Sequence, residues 1–214
     1  MVGRAPRLLF LGLDGAGKTA VVELLALRGN WAFNGRAPMC VSTAERRERQ
    51  LELEGGQRFV AMDCPGRSRA RRGWADAVEE ARPCGAVFVV DASRPGSRLV
   101  QAREALQRLL GVSEPFAALP LLVLANKQDR SGAVGVGVVA EALGLRGGDH
   151  GGGCCVAADA EVLEFAATEG RGGRGWVGLE RWLAAAVGGG RRRGRSRAGS
   201  KLLLPRAGSK ASLL

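Results

Sequence analysis

Residues 12 to 19 read GLDGAGKT, which sets Gly12, Gly17, Lys18 and Thr19 at G-x-x-x-x-G-K-T spacing. Each residue type has a use at that spacing. Glycines let the backbone curl, so that the N–H groups of Asp14, Gly15, Ala16 and Gly17 line a concavity suited to phosphate oxygens. Lys18 brings a compact positive charge to the β- and γ-phosphates. Thr19 offers a hydroxyl oxygen to Mg²⁺, and a helix beginning there aims its positive dipole end at the same anions. The bland alternative, a glycine-rich turn with a chance lysine, fits the flanks poorly: the apolar RLLFLGL reads as a buried strand and TAVVELLALRG as a helix, with Gly29 past its end. The segment reads as a nucleotide-phosphate loop.

A second stretch, ANKQD at residues 125–129, follows an apolar run. A carboxylate at Asp129 can accept from both N1–H and the exocyclic amine of guanine, an edge that adenine does not present. Asn126 can tie this loop to the phosphate loop, and Lys127 can lay its stem along the base plane. Alone, N-K-x-D is a solvated loop; behind a phosphate loop it favours guanine over adenine. It also speaks against a small-molecule P-loop kinase.

The elements that must position these loops alternate. QLELEGGQRFVAMD reads as two strands with a hairpin turn at Gly55-Gly56, GAVFVVDAS and LPLLVLANKQD as apolar strands, and EVLEFAAT as a last strand. SRLVQAREALQRLLG, VGVVAEALGL and GWVGLERWLAAAV read as helices, and residues 146 to 153 as a glycine-rich loop. This order predicts an α/β fold with helices on both faces of a mostly parallel sheet and one antiparallel edge strand.

GLDGAGKT together with LPLLVLANKQD, and the helix QAREALQRLL, resemble the ADP-ribosylation-factor-like branch of the small GTPases. The resemblance runs from about Arg7 to Val187. It implies a Ras-like P-loop fold, GTP and GDP as ligands, Mg²⁺, and a switch whose GTP form binds effectors, under exchange-factor and GTPase-activating proteins. In the family a CSA or CAT loop backs the guanine; AAT ending at Thr168 fits it and assigns Ala167, whereas counting forward from LGL would give Ala160.

The chain departs from the family where the γ-phosphate is sensed. DCPG, Asp63 to Gly66, matches D-x-x-G: Asp63 would hold Mg²⁺ through a water, and the Gly66 N–H would meet the γ-phosphate. The family reads D-V-G-G-Q there. Pro65 replaces its first glycine, predicting a stiffer loop, and Arg67 replaces its water-orienting glutamine. The family's P-T-x-G-F-N appears as APMCVST. Met39 stands where the Mg²⁺-binding threonine belongs, and a thioether is a poor ligand for so hard a cation. Thr43 would substitute if the loop shifts register; the competing reading gives that loop no metal role. These departures leave two readings: a slow GTP-dependent switch, or a nucleotide-bound scaffold with little hydrolysis or switching.

Composition bounds the rest. The 214 residues carry a net charge of +11, and eight of the basic residues lie after residue 190 with no acid among them. The expected organisation is a short segment 1–6, a guanine-nucleotide-binding domain 7–187 and a basic disordered tail 188–214. Val2 stands where relatives often carry the glycine that accepts a myristoyl chain, so that signal is absent. The five cysteines are irregularly spaced, as for reduced thiols. The expectation is a cytoplasmic monomer. Its tail, with Leu202 to Leu204 behind the arginines, is read as solvated, as a peripheral anchor on anionic membrane, or, least favoured, as a nuclear or nucleic-acid contact.

Overall fold

The structure, a computed structural model, describes residues 5–27, 44–145 and 160–189. Met39, Thr43, the Cys154–Cys155 pair, the glycine-rich loop after Leu145 and the basic tail lie outside those residues.

Six strands, β1 (Arg7–Leu11), β2 (Arg47–Glu52), β3 (Arg58–Asp63), β4 (Gly85–Asp91), β5 (Leu121–Asn126) and β6 (Ala160–Glu164), form one sheet ordered β2-β3-β1-β4-β5-β6. All neighbours are parallel except β2 and β3. The central strands are continuous apolar runs because both of their faces are covered; every residue of β4 and β5 is buried. β2 is the expected antiparallel edge. It starts at Arg47, ahead of the Leu51–Leu53 alternation that marks it in the sequence, and its first four residues are exposed. Gly56 closes the hairpin at φ +77°, with the Leu53 N–H donating to the Gln57 carbonyl at 2.9 Å.

The helices are α1 (Lys18–Ala26), α2 (Trp74–Ala81), α3 (Ser97–Val112), the single turn α4 (Glu114–Ala117), α5 (Val136–Leu143) and α6 (Trp176–Val187). Alternate residues of a strand face opposite sides. Leu8, Phe10 and Val87 therefore pack with Val21 and Leu24 of α1 and Leu179 and Leu183 of α6. Leu9, Leu11 and Phe88 pack on the other face with Trp74 of α2, Leu106 of α3 and Val139 of α5. Each such side chain, taken fully out of water, contributes roughly 1.5–3 kcal/mol.

Besides the early start of β2 and the turn α4, three features differ from the sequence reading. α1 stops at Ala26, where Leu27 turns extended. β6 pairs only through Glu164, and residues 167–172 continue as a 3₁₀ turn. α2 has no counterpart in the sequence reading, although Trp74, Ala77, Val78 and Ala81 recur at helical spacing and form its buried face.

Candidate nucleotide-binding site

β1 has β3 on one side and β4 on the other, so the strand order reverses at β1 and opens a crevice at the carboxyl ends of the strands. The loop leaving β1 enters it. In register, Phe10 of β1 lies beside Asp63 at the end of β3, and Asp91 beside Asn126 at the ends of β4 and β5. The topology thus delivers GLDGAGKT, Asp63 and ANKQD to one edge.

In the phosphate loop Gly15 and Gly17 take φ +74° and +103°, left-handed conformations that favour glycine. A Cβ on Gly17 would lie 2.3 Å from Asn126 Nδ2, so the glycine also permits the approach of the second loop. Lys18 opens α1 with its side chain buried and Nζ donating to the Leu13 carbonyl at 3.0 Å. Burial lowers its pKa, while Asp63 and Asp14 pull the other way. The Thr19 hydroxyl donates to Asp63 Oδ2 at 2.6 Å.

Asn126 is the knot of the second loop. Its Nδ2 donates to the Ala16 carbonyl at 2.8 Å, and its Oδ1 accepts from the Ala167 N–H at 3.2 Å. One buried amide therefore joins the phosphate loop, β5 and the AAT segment. Ala160 pairs with Leu121 at the far end of β6, away from this junction. Lys127 holds φ +70°, uncommon for a residue with a Cβ, and its Nζ donates to Asp91 Oδ2 at 2.6 Å. Asp91 Oδ1 accepts from the Ser93 N–H and hydroxyl at 3.1 and 2.6 Å. Burial alone would raise the Asp91 pKa, but these bonds from Lys127 and Ser93 outweigh it and hold the carboxyl below its ordinary range. Asp129 stands exposed on the turn that follows.

The DCPG segment presses on the same loop from β3. The Asp14 N–H donates to the Gly66 carbonyl at 3.2 Å. A Cβ on Gly66 would come within 2.5 Å of the Asp14 nitrogen and 2.6 Å of the Gly12 oxygen, so only glycine fits this approach. Arg67 is largely exposed, its Nε 3.9 Å from Asp14 Oδ2. Trp74 Nε1 donates to the Pro65 carbonyl at 3.0 Å, and its ring meets Phe88 edge-on at 6.2 Å. Cys64 is buried, which pushes its thiol pKa up to about 12 with further help from the Asp63 charge.

Asp91, Arg98 and Trp74 are not among the residues that the sequence reading singles out. Arg98, on α3, donates from Nη2 to the Asp14 carbonyl. Asp91 leaves a trace in the sequence, a carboxylate closing an apolar strand; Trp74 leaves only the helical spacing of α2, and Arg98 leaves none. Thr43 lies outside the described residues.

The ADP-ribosylation factor family model matches residues 1–187. The chain belongs to that family. It is 37% identical over 142 residues to the ADP-ribosylation factor-like protein alp41 of Schizosaccharomyces pombe, covering 66% of this chain and 70% of that one. It is 34% identical over 139 residues to the small COPII coat GTPase SAR1 of Giardia intestinalis, covering 65% and 66%. Among solved structures the fold resembles the mammalian SRP receptor, with a TM-score of 0.67 and 22% identity over 84% of this chain and 99% of that one. It also resembles the Arl6 BBS3 small GTPase of Trypanosoma brucei with bound GppNp, at a TM-score of 0.65 and 22% identity over 86% and 98%. Proteins of the ADP-ribosylation factor family bind guanine nucleotide. Among the described residues no helix of this member is long and apolar enough to cross a membrane.

Proposed function

We propose that this ADP-ribosylation factor family protein is a slow GTP-dependent switch that recruits partner proteins in membrane traffic or signalling. The observation that carries the reading is the Asn126 knot, which fixes the phosphate loop, the NKQD loop and Ala167 relative to one another. In this reading the backbone of Asp14 to Gly17, with Lys18, Thr19 and Gly66, holds the phosphates. Asp129 reads the guanine edge, and Asn126, Lys127 and Ala167 frame the base.

The residues present fit Mg²⁺. This cation takes one or two protein oxygens and fills its octahedron with phosphates and water, and Thr19 and Asp63 place two hard oxygens 2.6 Å apart beside the phosphate loop. Thr19 would bind it directly, Asp63 through a water, and Thr43 is the candidate for the missing switch ligand. When bound, it neutralises phosphate charge.

Arg67 sets the rate. A guanidinium has five donors and no acceptor, so it cannot hold an attacking water as glutamine does. Hydrolysis is then slow unless a partner supplies the acceptor. A second reading, a nucleotide-bound scaffold, is favoured by one specific feature: Trp74 grips Pro65 while Gly66 is bonded to Asp14, which restrains the segment that a switch has to move.

Identification of the nucleotide co-purifying with the full chain tests the assignment, with competition of labelled GTP by GTP, XTP and ATP. Equal competition by ATP would overturn it. Hydrogen exchange over residues 63–74 in the GDP-loaded and GTP-analogue-loaded forms separates switch from scaffold; identical protection supports the scaffold. The basic tail is proposed to reach anionic membrane surface, each basic residue adding about 1 kcal/mol there. Salt-sensitive sedimentation with anionic vesicles should vanish when residues 191–214 are deleted.

A further inference from the structure

Between the 3₁₀ turn that follows Arg67, α2 and the outer face of α3 lies a cleft of about 350 Å³. Its walls have two characters. Arg71, Arg72 and Arg108 supply three guanidiniums against the single carboxylate of Glu104. Trp74, Ala75, Ala105, Leu109 and Val112 supply apolar surface, and Val112, on the rim, is 67% exposed.

The arginines are gathered without being neutralised. Among the described residues none of the three side chains makes an ion pair, although Glu104 shares the cleft with them. Arg71 Nε is buried with no hydrogen-bond partner among the described residues. Arg71 also feels Arg108 and Arg98 as like charges, with Glu104 in opposition, and burial together with that repulsion lowers its pKa. Clustered like charges beside an exposed apolar rim cost stability in the free protein, and an anionic partner removes that cost.

We infer that this cleft docks an acidic, amphipathic segment of a partner protein, its carboxylates on Arg71, Arg72 and Arg108 and an apolar side chain against Leu109 and Val112. A free inorganic anion would leave the apolar half uncovered. A bilayer surface is flat, whereas a cleft between two helices admits a single inserted side chain. The site also abuts the Trp74–Pro65 contact, so a docked segment would bear on the DCPG loop. The inference rests on the cleft alone and not on the nucleotide assignment.

The test uses the full chain as purified and a short fluorescein-labelled helical peptide with glutamates one turn apart flanking a leucine. Fluorescence anisotropy should show binding that weakens by at least about tenfold when the glutamates become glutamines. Arg71→Ala with Arg108→Ala should produce a similar loss, while Arg103→Ala, on the same helix outside the cleft, should not. Arg71→Glu with Arg108→Glu should bind the matching lysine peptide, which shows that the variant is folded and that charge sets the preference. Absence of binding, equal binding of the glutamine peptide, or equal sensitivity to Arg103→Ala would overturn the inference. So would a leucine-independent response that phosphatidylserine vesicles or inorganic phosphate reproduce with the same arginine dependence, since that would make the site a general anion surface.

Discussion

The two halves of the crevice are built differently. On the β4–β5 side, every polar group that fixes the loops is satisfied by a buried or half-buried partner: Asn126 by Ala16 and Ala167, Lys127 by Asp91, Asp91 by Ser93. On the β3 side backbone and ring contacts join the side-chain bond from Thr19 to Asp63: Gly66 lies against the phosphate loop, Pro65 is held by an indole, and Arg67 Nε lies 3.9 Å from Asp14 Oδ2. The first half has the family's letters at N-K-x-D; the second has lost them at Pro65 and Arg67. On the proposed reading, a protein that keeps its means of gripping a nucleotide and alters its means of sensing the γ-phosphate would separate holding from timing.

The largest effects should come from the gripping half. On the proposed reading Asp129→Asn takes the charge from two hydrogen bonds to guanine and turns one of the two acceptors into a donor, each charge-assisted bond being worth roughly 1.5–3 kcal/mol. GTP affinity should fall by about a hundredfold or more while XTP gains, because xanthine carries a carbonyl where guanine carries the amine. Competition binding checks this, and undiminished GTP affinity would break the comparison at its stronger side. Lys18→Ala should weaken GTP binding by at least about tenfold in calorimetry, since it removes the one side-chain cation of GLDGAGKT.

A smaller effect is expected on the timing side. Arg67→Gln restores an acceptor at the exposed position beside Asp14, and single-turnover hydrolysis should rise by about tenfold or more. Equal rates for the two proteins would mean that another group positions the water. On the gripping side again, the Asp91 carboxyl titrates below its ordinary range. Its contribution to stability is therefore present above the unfolded pKa of about 3.9 and lost as the pH falls through the lower folded value. Urea midpoints should decline with acid in that window, and Asp91→Asn should flatten the decline. Parallel acid limbs would show that the Asp91–Lys127 pair stores no pH-dependent stability.

How much of this is legible in the sequence follows the same division. The central strands, the phosphate loop and the Gly55-Gly56 hairpin are legible because Leu, Val and Phe runs and left-handed glycines are local properties. α2 escapes although Trp74, Ala77, Val78 and Ala81 carry the helical period, because the arginine run from Arg67 to Arg72 reads as a continuing loop. The start of β2 escapes because an exposed edge strand shows no alternation. The role of Asn126 is legible in part: its reach to the phosphate loop follows from the motif, but its second bond, to Ala167, depends on how β6 runs into the next turn. Trp74 to Pro65 and Arg98 to Asp14 join residues that only the packed fold brings together, so no spacing rule contains them.

The smallest effect is also the most local. Trp74 is buried and does two things at once: its ring packs edge-on against Phe88, and its N–H binds the Pro65 carbonyl at 3.0 Å. Trp74→Phe keeps an aromatic ring for the first role and removes the donor needed for the second. The lost hydrogen bond should cost about 1 kcal/mol in a urea titration. A reduced ring volume lowers stability too, so the midpoint alone does not separate the two roles; the site of the loss does. If the indole restrains the DCPG loop, amide exchange should quicken at residues 66–73 and stay unchanged at residues 125–128, where Asn126 and Asp91 do the holding. Faster exchange spread evenly over both halves would mean that Trp74 only fills the core. Unchanged exchange at 66–73 would mean that the proline ring and the Gly66–Asp14 contact fix the loop by themselves, and the stiffness of the timing half would then belong to Pro65 and Gly66 without the indole.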